Sequence, residues 1–264
     1  MDLLNSRTTR VQPIFGWLRA NGGKSWPAQL LGLADGISGL NNCGSIKKIE
    51  LESERSVLAT PARLAWMITN ADKLTPRDGS QWKKLRQRVA DLDKVEKALA
   101  ELGQGRRTIQ QSLVLEGPTH CDCLIECEYA FIWIEGKRFD WLEPSTTWDV
   151  SRDQLARNVE AVWWLASAAA KDYCVLICHE HALKHHETQL LDGYRGGTWS
   201  AGWPHISVDQ RREFSTRIGT ITWSKIAEQW SDLHELTELH DLGWGLNFNA
   251  TCGRAIERQF GSAL

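Results

Sequence analysis

The segment 115–137, LEGPTHCDCLIECEYAFIWIEGK, constrains the fold of the chain more than any other stretch. The alternation over 120–127 predicts a short strand that places Asp122 on one of its faces. The run 130–138 is rich in the aromatic and β-branched residues that are typical of strand interiors. Because only a few residues separate the two runs, we expect an antiparallel hairpin.

Two acids and a lysine lie on these predicted strands. A period of two places Glu135 and Lys137 on the same face of the second strand. Carboxylates among apolar neighbours are costly to desolvate unless they pair with a cation. Mg²⁺ prefers carboxylate oxygens and accepts phosphate oxygens at its remaining positions. We therefore predict a divalent metal at Asp122 and Glu135, with Lys137 beside it to orient or deprotonate a water and to offset phosphate charge.

Asp122 followed by Glu135-Gly136-Lys137 resembles the D...(D/E)-x-K signature of the PD-(D/E)XK, or restriction-endonuclease-like, nuclease superfamily. Cys121 stands where the proline that gives the family its name would be. The resemblance covers residues 110–180 and implies an α/β fold, a mixed β-sheet core flanked by helices, here preceded by an N-terminal helical region. It also implies a nuclease that hydrolyses phosphodiester bonds with Mg²⁺ or Mn²⁺. Asp122 and Glu135 would be metal ligands, and Lys137 would lie beside the attacking water.

Three further residues resemble polar positions of this family. Ser151 and Gln154 have the spacing of a capping box at the start of a helix. Gln154 and Arg157 in its first turns resemble polar residues that follow the core strands, where a helix N-terminus favours phosphate. Each of these two residues either contacts a phosphate of the substrate or forms a structural hydrogen bond, and the sequence does not decide between these roles. Glu54 resembles an additional acid ahead of the core, a third metal ligand if 46–59 is helical; the alternative is a solvated glutamate cluster.

The same residues also fit three other interpretations. Glu135 and Lys137 could form an ordinary salt bridge on a sheet surface, and the fold could serve a nucleic-acid-binding module without hydrolysis. A zinc or thiol protein is a third alternative, because histidines and cysteines cluster in two places. The clustered residues are His120, Cys121, Cys123, Cys127, Cys178, His179, His181, His185 and His186. The H-E-x-x-H order of a zinc protease is absent from them.

The net charge of −2 and the pI near 6.5 are not those of a strongly basic nucleic-acid binder, so any basic surface must be local. Nucleic acid is the partner that the resemblance implies, DNA in preference to RNA, and a homodimer is a candidate assembly because nucleases that cut both strands often pair their subunits. Three short clusters are candidates for such a basic surface, and the alternative for each is a solvated helix face or loop. Their residues are Lys83, Lys84, Arg86 and Arg88, then Arg106 and Arg107, then Arg211 and Arg212.

The composition favours a cytoplasmic protein with reduced thiols. Seven cysteines, an odd number without the spacing of a small disulfide scaffold, argue against a disulfide framework. Charged residues interrupt the first twenty positions, so a signal peptide is not expected. No uncharged run is long enough to span a bilayer, so we expect no membrane partner.

The order of the patterns predicts one compact unit of two regions. Residues 1–105 are expected to be mainly helical, with a helix capped by Thr60 and a long amphipathic helix over 80–102. Residues 106–264 would form the nuclease-like core, with a first strand over 106–115, a buried strand over 173–178 and helices at 207–219, after Thr222 and at 246–264. Strand, helix and strand in succession predict a crossover unit, hence the α/β class.

Overall fold

The computed structural model describes residues 6–40, 42–51, 55–106, 109–137, 142–180, 183, 185–197 and 201–233. These residues form nine α-helices and seven strands. The helices are α1 (Gln12–Asn21), α2 (Trp26–Leu33), α3 (Pro61–Thr69), α4 (Gly79–Val89), α5 (Leu92–Gly103), α6 (Gln154–Ala169), α7 (His185–Arg195), α8 (Val208–Ser215) and α9 (Trp223–Gln229). The strands are β1 (Ile46–Glu50), β2 (Arg55–Val57), β3 (Thr119–Cys121), β4 (Cys123–Cys127), β5 (Ala130–Gly136), β6 (Asp172–His179) and β7 (Ile218–Thr222).

Five strands form a mixed central sheet in the order β1-β4-β5-β6-β7. β1, β4 and β5 are antiparallel neighbours, whereas β5, β6 and β7 run parallel. Helix α6 makes the crossover from β5 to β6, as a parallel pair requires. The predicted α/β class, with a mixed sheet flanked by helices, is confirmed at this level, and so are the antiparallel hairpin and the crossover unit.

Both faces of the central sheet are covered. Alternate residues of β5 point to opposite sides: Ile132 packs in one core with Phe15 and Trp26 of α1 and α2, and Trp133 packs in another with Val159 of α6. β5 is therefore buried along its whole length, and a charged residue near its end needs partners that the fold supplies.

Helices α3, α4 and α5 form a third hydrophobic cluster beside the sheet layers. A buried charged network joins this cluster to α6. Arg63 of α3 lies 3.1 Å from Glu116 and 2.8 Å from Asp149. Arg152, just before α6, lies 2.8 Å from Glu116 and 2.9 Å from Glu160. All five side chains are at most 4 % exposed, and each has at least one oppositely charged partner within the network.

Two predicted strands differ from those observed. The region 120–127 is not one strand but two: β3 pairs with β2 in a separate two-stranded sheet, β4 joins the central sheet, and Asp122 occupies the bend between them. The predicted strand over 106–115 is wrong, because 111–113 forms a 3₁₀ turn. Its apolar residues Leu113 and Leu115 are buried against α3–α5 instead of facing a partner strand.

Three helix predictions need correction. The helix over 80–102 is interrupted after Val89, because the side chain of Asp91 accepts a hydrogen bond from the Lys94 amide and caps a second helix. Ser151 is not the N-cap of α6; Asp153 is, accepting from the Ala156 amide at 2.9 Å. The helix expected over 207–219 ends at Ser215 and is followed by β7, which the sequence patterns did not indicate. The predicted caps Thr60, Ser207 and Thr222 are confirmed.

The N-terminal region contributes more than helices. The ambiguous stretch 46–59 forms strands β1 and β2, and β1 is an edge strand of the central sheet, paired with β4. The central sheet therefore takes strands from both of the predicted regions, 1–105 and 106–264. Glu54 and the helix predicted at 246–264 lie outside the described residues. None of the described helices combines the length and apolarity that a bilayer crossing needs.

Candidate active site

The hairpin of β4 and β5 brings the predicted acids to one end of the sheet. Cys123 pairs with Ile134 in the antiparallel register, so the next position on each side places Asp122 opposite Glu135. Lys137 follows directly after β5, and its main-chain N–H donates to the carbonyl of Cys178 at the end of β6, at 2.7 Å. The three charged residues thus lie at the end of the sheet where β4 begins and where β5 and β6 end.

Glu135 is buried and is held by three donors. Its Oε1 accepts from Gln154 Nε2 at 2.7 Å and lies 3.0 Å from Lys137 Nζ. Its Oε2 accepts from Asn158 Nδ2 at 2.9 Å. Gln154 and Asn158 are one turn apart on α6, so this helix fixes the carboxylate against the strand that carries it. The interactions keep Glu135 in one orientation despite the cost of its burial.

Lys137 is buried with its ammonium beside two oxygen atoms. Nζ lies 3.0 Å from Glu135 Oε1 and donates to Gln154 Oε1 at 3.1 Å. The same Gln154 oxygen accepts from the main-chain N–H of Glu143 at 3.0 Å. On the opposite side, the Lys137 carbonyl accepts from the indole N–H of Trp223 at 3.0 Å. Gln154 therefore links the acid, the lysine and the segment after β5. Of the two roles that the sequence left open for Gln154, the structural hydrogen bond is observed.

Asp122 carries a charge that its surroundings compensate only in part. Burial, followed by the negative charge of Glu135, raises the pKa of Asp122 to about 7. The Gly136 amide, which donates to Asp122 Oδ2 at 2.8 Å, opposes that rise, and so do the charges of Lys137 and Arg7. The two neighbouring carboxyl groups thus oppose each other's ionisation.

The N-terminal segment lies against the same end of the sheet. Ser6 donates from its hydroxyl to the carbonyl of Gly136 at 2.7 Å. Arg10 forms a buried bidentate pair with Glu180, which follows β6. A Cβ atom at Gly136 would overlap the side chain of Val11, so the segment packs directly on the backbone between Glu135 and Lys137.

The described contacts of Arg157 are with the segment that precedes β3. Its Nη2 donates to the carbonyl of Pro118 at 2.8 Å, and its Nε lies 3.9 Å from Glu116 Oε1. Burial lowers the pKa of Arg157, and the nearby charge of Glu116 opposes that change. Arg157 thus forms the structural hydrogen bond that was one of its two predicted roles, and its contact with a phosphate stays a prediction.

The two carboxylates fit a hard divalent cation. Among the described residues Asp122 Oδ1 accepts no hydrogen bond. Gln154 and Lys137 use both acceptor positions of Glu135 Oε1, whereas Oε2 keeps one beyond that used by Asn158. A cation would offset the burial and the charge of Glu135, which raise the pKa of Asp122. No group of three His, Cys, Asp or Glu side chains in the described part of the chain could hold a metal. Mg²⁺, however, is commonly bound by one or two carboxylates together with waters and substrate phosphates.

The described residues contain no zinc site for the alternative of a zinc or thiol protein. In the metal-free protein, burial raises the pKa of the thiols of Cys121, Cys123 and Cys178, which disfavours the thiolate form that zinc binds. His181 and the side chains of His185 and His186 lie outside the described residues.

Two parts of the site were not predicted from the sequence. Asn158 holds Glu135, and its signal was a polar side chain on the otherwise apolar face of a predicted helix, one turn after Gln154. Ser6 and Arg7 approach from the N-terminal segment, for which no local pattern pointed to the site.

Comparison with protein families, with curated proteins and with solved structures found no match for this chain. The function has therefore to be argued from the geometry of the site.

Proposed function

We propose that this protein is a metal-dependent nuclease that hydrolyses phosphodiester bonds of nucleic acid, with DNA favoured over RNA. The observation that carries the proposal is the meeting of Asp122, Glu135 and Lys137 at one end of the hairpin, with Gln154 bridging the acid and the lysine. Buried carboxylates with a raised pKa and a specific charge partner are typical of functional sites. The arrangement also agrees with the resemblance to PD-(D/E)XK nucleases and with a mixed sheet flanked by helices.

Asp122 and Glu135 would hold Mg²⁺ or Mn²⁺. When bound, such an ion supplies a Lewis acid for the phosphoryl oxygen and stabilises negative charge on it. Glu135 is pre-positioned for this task, because Gln154 and Asn158 fix both of its oxygens. Asp122 would become a ligand only as a carboxylate, so the proposed activity requires loss of the proton that its raised pKa retains near neutrality.

Lys137 would act on the substrate and on the attacking water. Its ammonium offsets charge on a phosphate, and its Nζ is oriented by Glu135 Oε1 and Gln154 Oε1 at 3.0 and 3.1 Å. Gln154 keeps this position because its oxygen is also tied to the Glu143 amide. Preorganised charge of this kind stabilises a transition state without a further cost of reorganisation.

The test is a cleavage assay on plasmid, linear and single-stranded DNA and on RNA, with Mg²⁺, Mn²⁺ or EDTA. We expect metal-dependent cleavage that falls at least about 100-fold in Asp122→Ala, Glu135→Ala and Lys137→Ala, the scale of losing a catalytic group. Glu126 and Lys171 give a matched control, because they form an acid–lysine pair at 2.6 Å where β4 ends and β6 begins, at the opposite end of the sheet. Glu126→Ala and Lys171→Ala are expected to cleave normally.

Two results would contradict the proposal. One is normal cleavage by a folded Glu135→Ala variant, which would place the chemistry elsewhere. The other is no cleavage of any substrate with either metal. Nucleic-acid binding without cleavage would then favour the non-catalytic module, and stoichiometric zinc in elemental analysis would favour the zinc or thiol protein.

A further inference from the structure

Helix α4 carries the most one-sided charge of the described helices. Four of its residues are basic, Lys83, Lys84, Arg86 and Arg88, and none is acidic. Its apolar side, with the buried Leu85, packs on the α3–α5 cluster, so the cations occupy the remaining surface. A local charge of +4 stands on a chain whose net charge is −2.

In the described part of the chain these four cations form no ion pair within 4.0 Å. Several of the other exposed cations do have acidic partners within that distance, namely Lys48 with Glu50, Arg77 with Glu143, Lys94 with Asp91, Arg106 with Glu101 and Arg212 with Asp209. The acid nearest to α4 along the chain, Asp78, is used as its N-cap and accepts from the Gln81 amide. A surface of uncompensated positive charge attracts an anionic partner.

Two of the cations are held in place by tryptophans. The guanidinium of Arg86 lies 5.7 Å from the ring centroid of Trp82, and that of Arg88 lies 4.8 Å from the ring centroid of Trp148. Stacking restricts a long side chain, so less conformational entropy is lost when it binds a ligand. This preorganisation distinguishes α4 from an ordinary solvated helix face.

The helix lies close to the candidate active site. Arg88 stacks on Trp148, and Glu143, five residues earlier in the same segment, donates its amide to Gln154. Five residues span at most about 18 Å. Successive phosphates of one DNA strand are about 3.4 Å apart along the duplex axis, so a few nucleotides span such a distance and one nucleic-acid molecule can contact both places.

We infer that the exposed face of α4, defined by Lys83, Lys84, Arg86 and Arg88, binds the sugar-phosphate backbone of nucleic acid and holds it beside the active site. The choice of ligand rests on the proposed function. Lys83 and Arg88 are separated by about 7.5 Å along the helix axis, which suits contacts with neighbouring phosphates of one strand. These contacts carry no sequence information, since a phosphate backbone is the same in every sequence.

The test measures binding in EDTA, so that it does not depend on cleavage. Fluorescently labelled duplex DNA, single-stranded DNA and duplex RNA are titrated at several salt concentrations with the wild-type protein and with Lys83→Gln/Lys84→Gln/Arg86→Gln/Arg88→Gln. We expect the slope of log K against log salt for duplex DNA to become less steep by about 3 to 4, since each lost phosphate contact removes about 0.9.

The matched control removes the same charge elsewhere. Lys48→Gln/Lys94→Gln/Arg106→Gln/Arg212→Gln substitutes four cations that are at least half exposed and paired with acids. It is expected to leave the salt dependence unchanged. Circular dichroism and thermal unfolding of both variants establish that each is folded.

The outcomes separate this inference from the proposed nuclease activity. DNA binding that is lost in the α4 variant and kept in the control supports the inference even if no substrate is cleaved. Equal loss in both variants, or no binding of any nucleic acid by the wild-type protein, would overturn it. Binding of the wild-type protein to phosphatidylserine vesicles in preference to all three nucleic acids would also overturn it.

Discussion

Asp122 is the residue at which the electrostatics of the site are least balanced. Glu135 has Gln154, Asn158 and Lys137 as partners, whereas Asp122 accepts one described hydrogen bond, from the Gly136 amide. Burial and the charge of Glu135 therefore raise the pKa of Asp122 to about 7. Buried carboxylates whose pKa is shifted in this way are typical of functional sites, and this is the residue-scale support for the proposed function.

This imbalance predicts that Asp122→Asn stabilises the protein in EDTA. Between pH 3.8 and about 7 the folded state keeps a proton that the unfolded state has released, so the free energy of unfolding of the wild-type protein falls as pH rises through this window. The variant lacks that titration. Its advantage should be small at pH 4 and complete at about pH 8, on the order of 4 kcal/mol, since each unit of this pKa difference is worth about 1.4 kcal/mol.

Urea unfolding at pH 4, 5.5, 7 and 8 measures this effect. Asp209→Asn, at a carboxylate that is 91 % exposed, is the control and should change little at any of these values. An Asp122→Asn variant that is no more stable than the wild-type protein at pH 8 would contradict the charge imbalance.

At the scale of elements, helix α6 connects the site to the rest of the molecule. Its first turns hold Glu135 through Gln154 and Asn158, and its Glu160 pairs with Arg152 in the network that reaches α3. Burial alone would raise the pKa of Glu160, but Arg152 and His205 beside it lower it. The charged network therefore sets the position of the helix that orients the proposed catalytic residues.

The network predicts a large loss of stability in Arg152→Met. Without the guanidinium, Glu116 and Glu160 keep buried charges with fewer partners, and breaking a buried pair in this way typically costs about 3–5 kcal/mol. Arg77→Met removes an exposed pair with Glu143 and should cost at most about 1 kcal/mol. Urea unfolding compares the two; equal losses would show that the network contributes no more than a surface pair.

At the scale of the whole molecule, the sequence predicted those elements whose hydrophobic pattern and partners are local along the chain. The buried strands β5 and β6, the helix between them and the meeting of Glu135 with Lys137 follow from periodicity and proximity along the chain. The short strands β1, β2 and β7 did not follow, because partners distant in sequence select them.

The same contrast holds for single residues of the site. Ser151 fits a capping pattern, but its hydroxyl donates to Asp149 at 2.6 Å and Asp153 caps the helix instead. The approach of Ser6 and Arg7 to Gly136 and Asp122 depends on how the N-terminal segment packs, which no local pattern encodes.

The central claim is that Asp122 and Glu135 together hold a divalent cation, and calorimetric titration of Mn²⁺ into the purified protein tests it most directly. We predict one binding site in the wild-type protein and its loss in both Asp122→Asn and Glu135→Gln, while Glu126→Gln binds as the wild type does, because Glu126 lies at the other end of β4. Mn²⁺ binding of equal affinity in Asp122→Asn, or no binding by the wild-type protein, would contradict the claim.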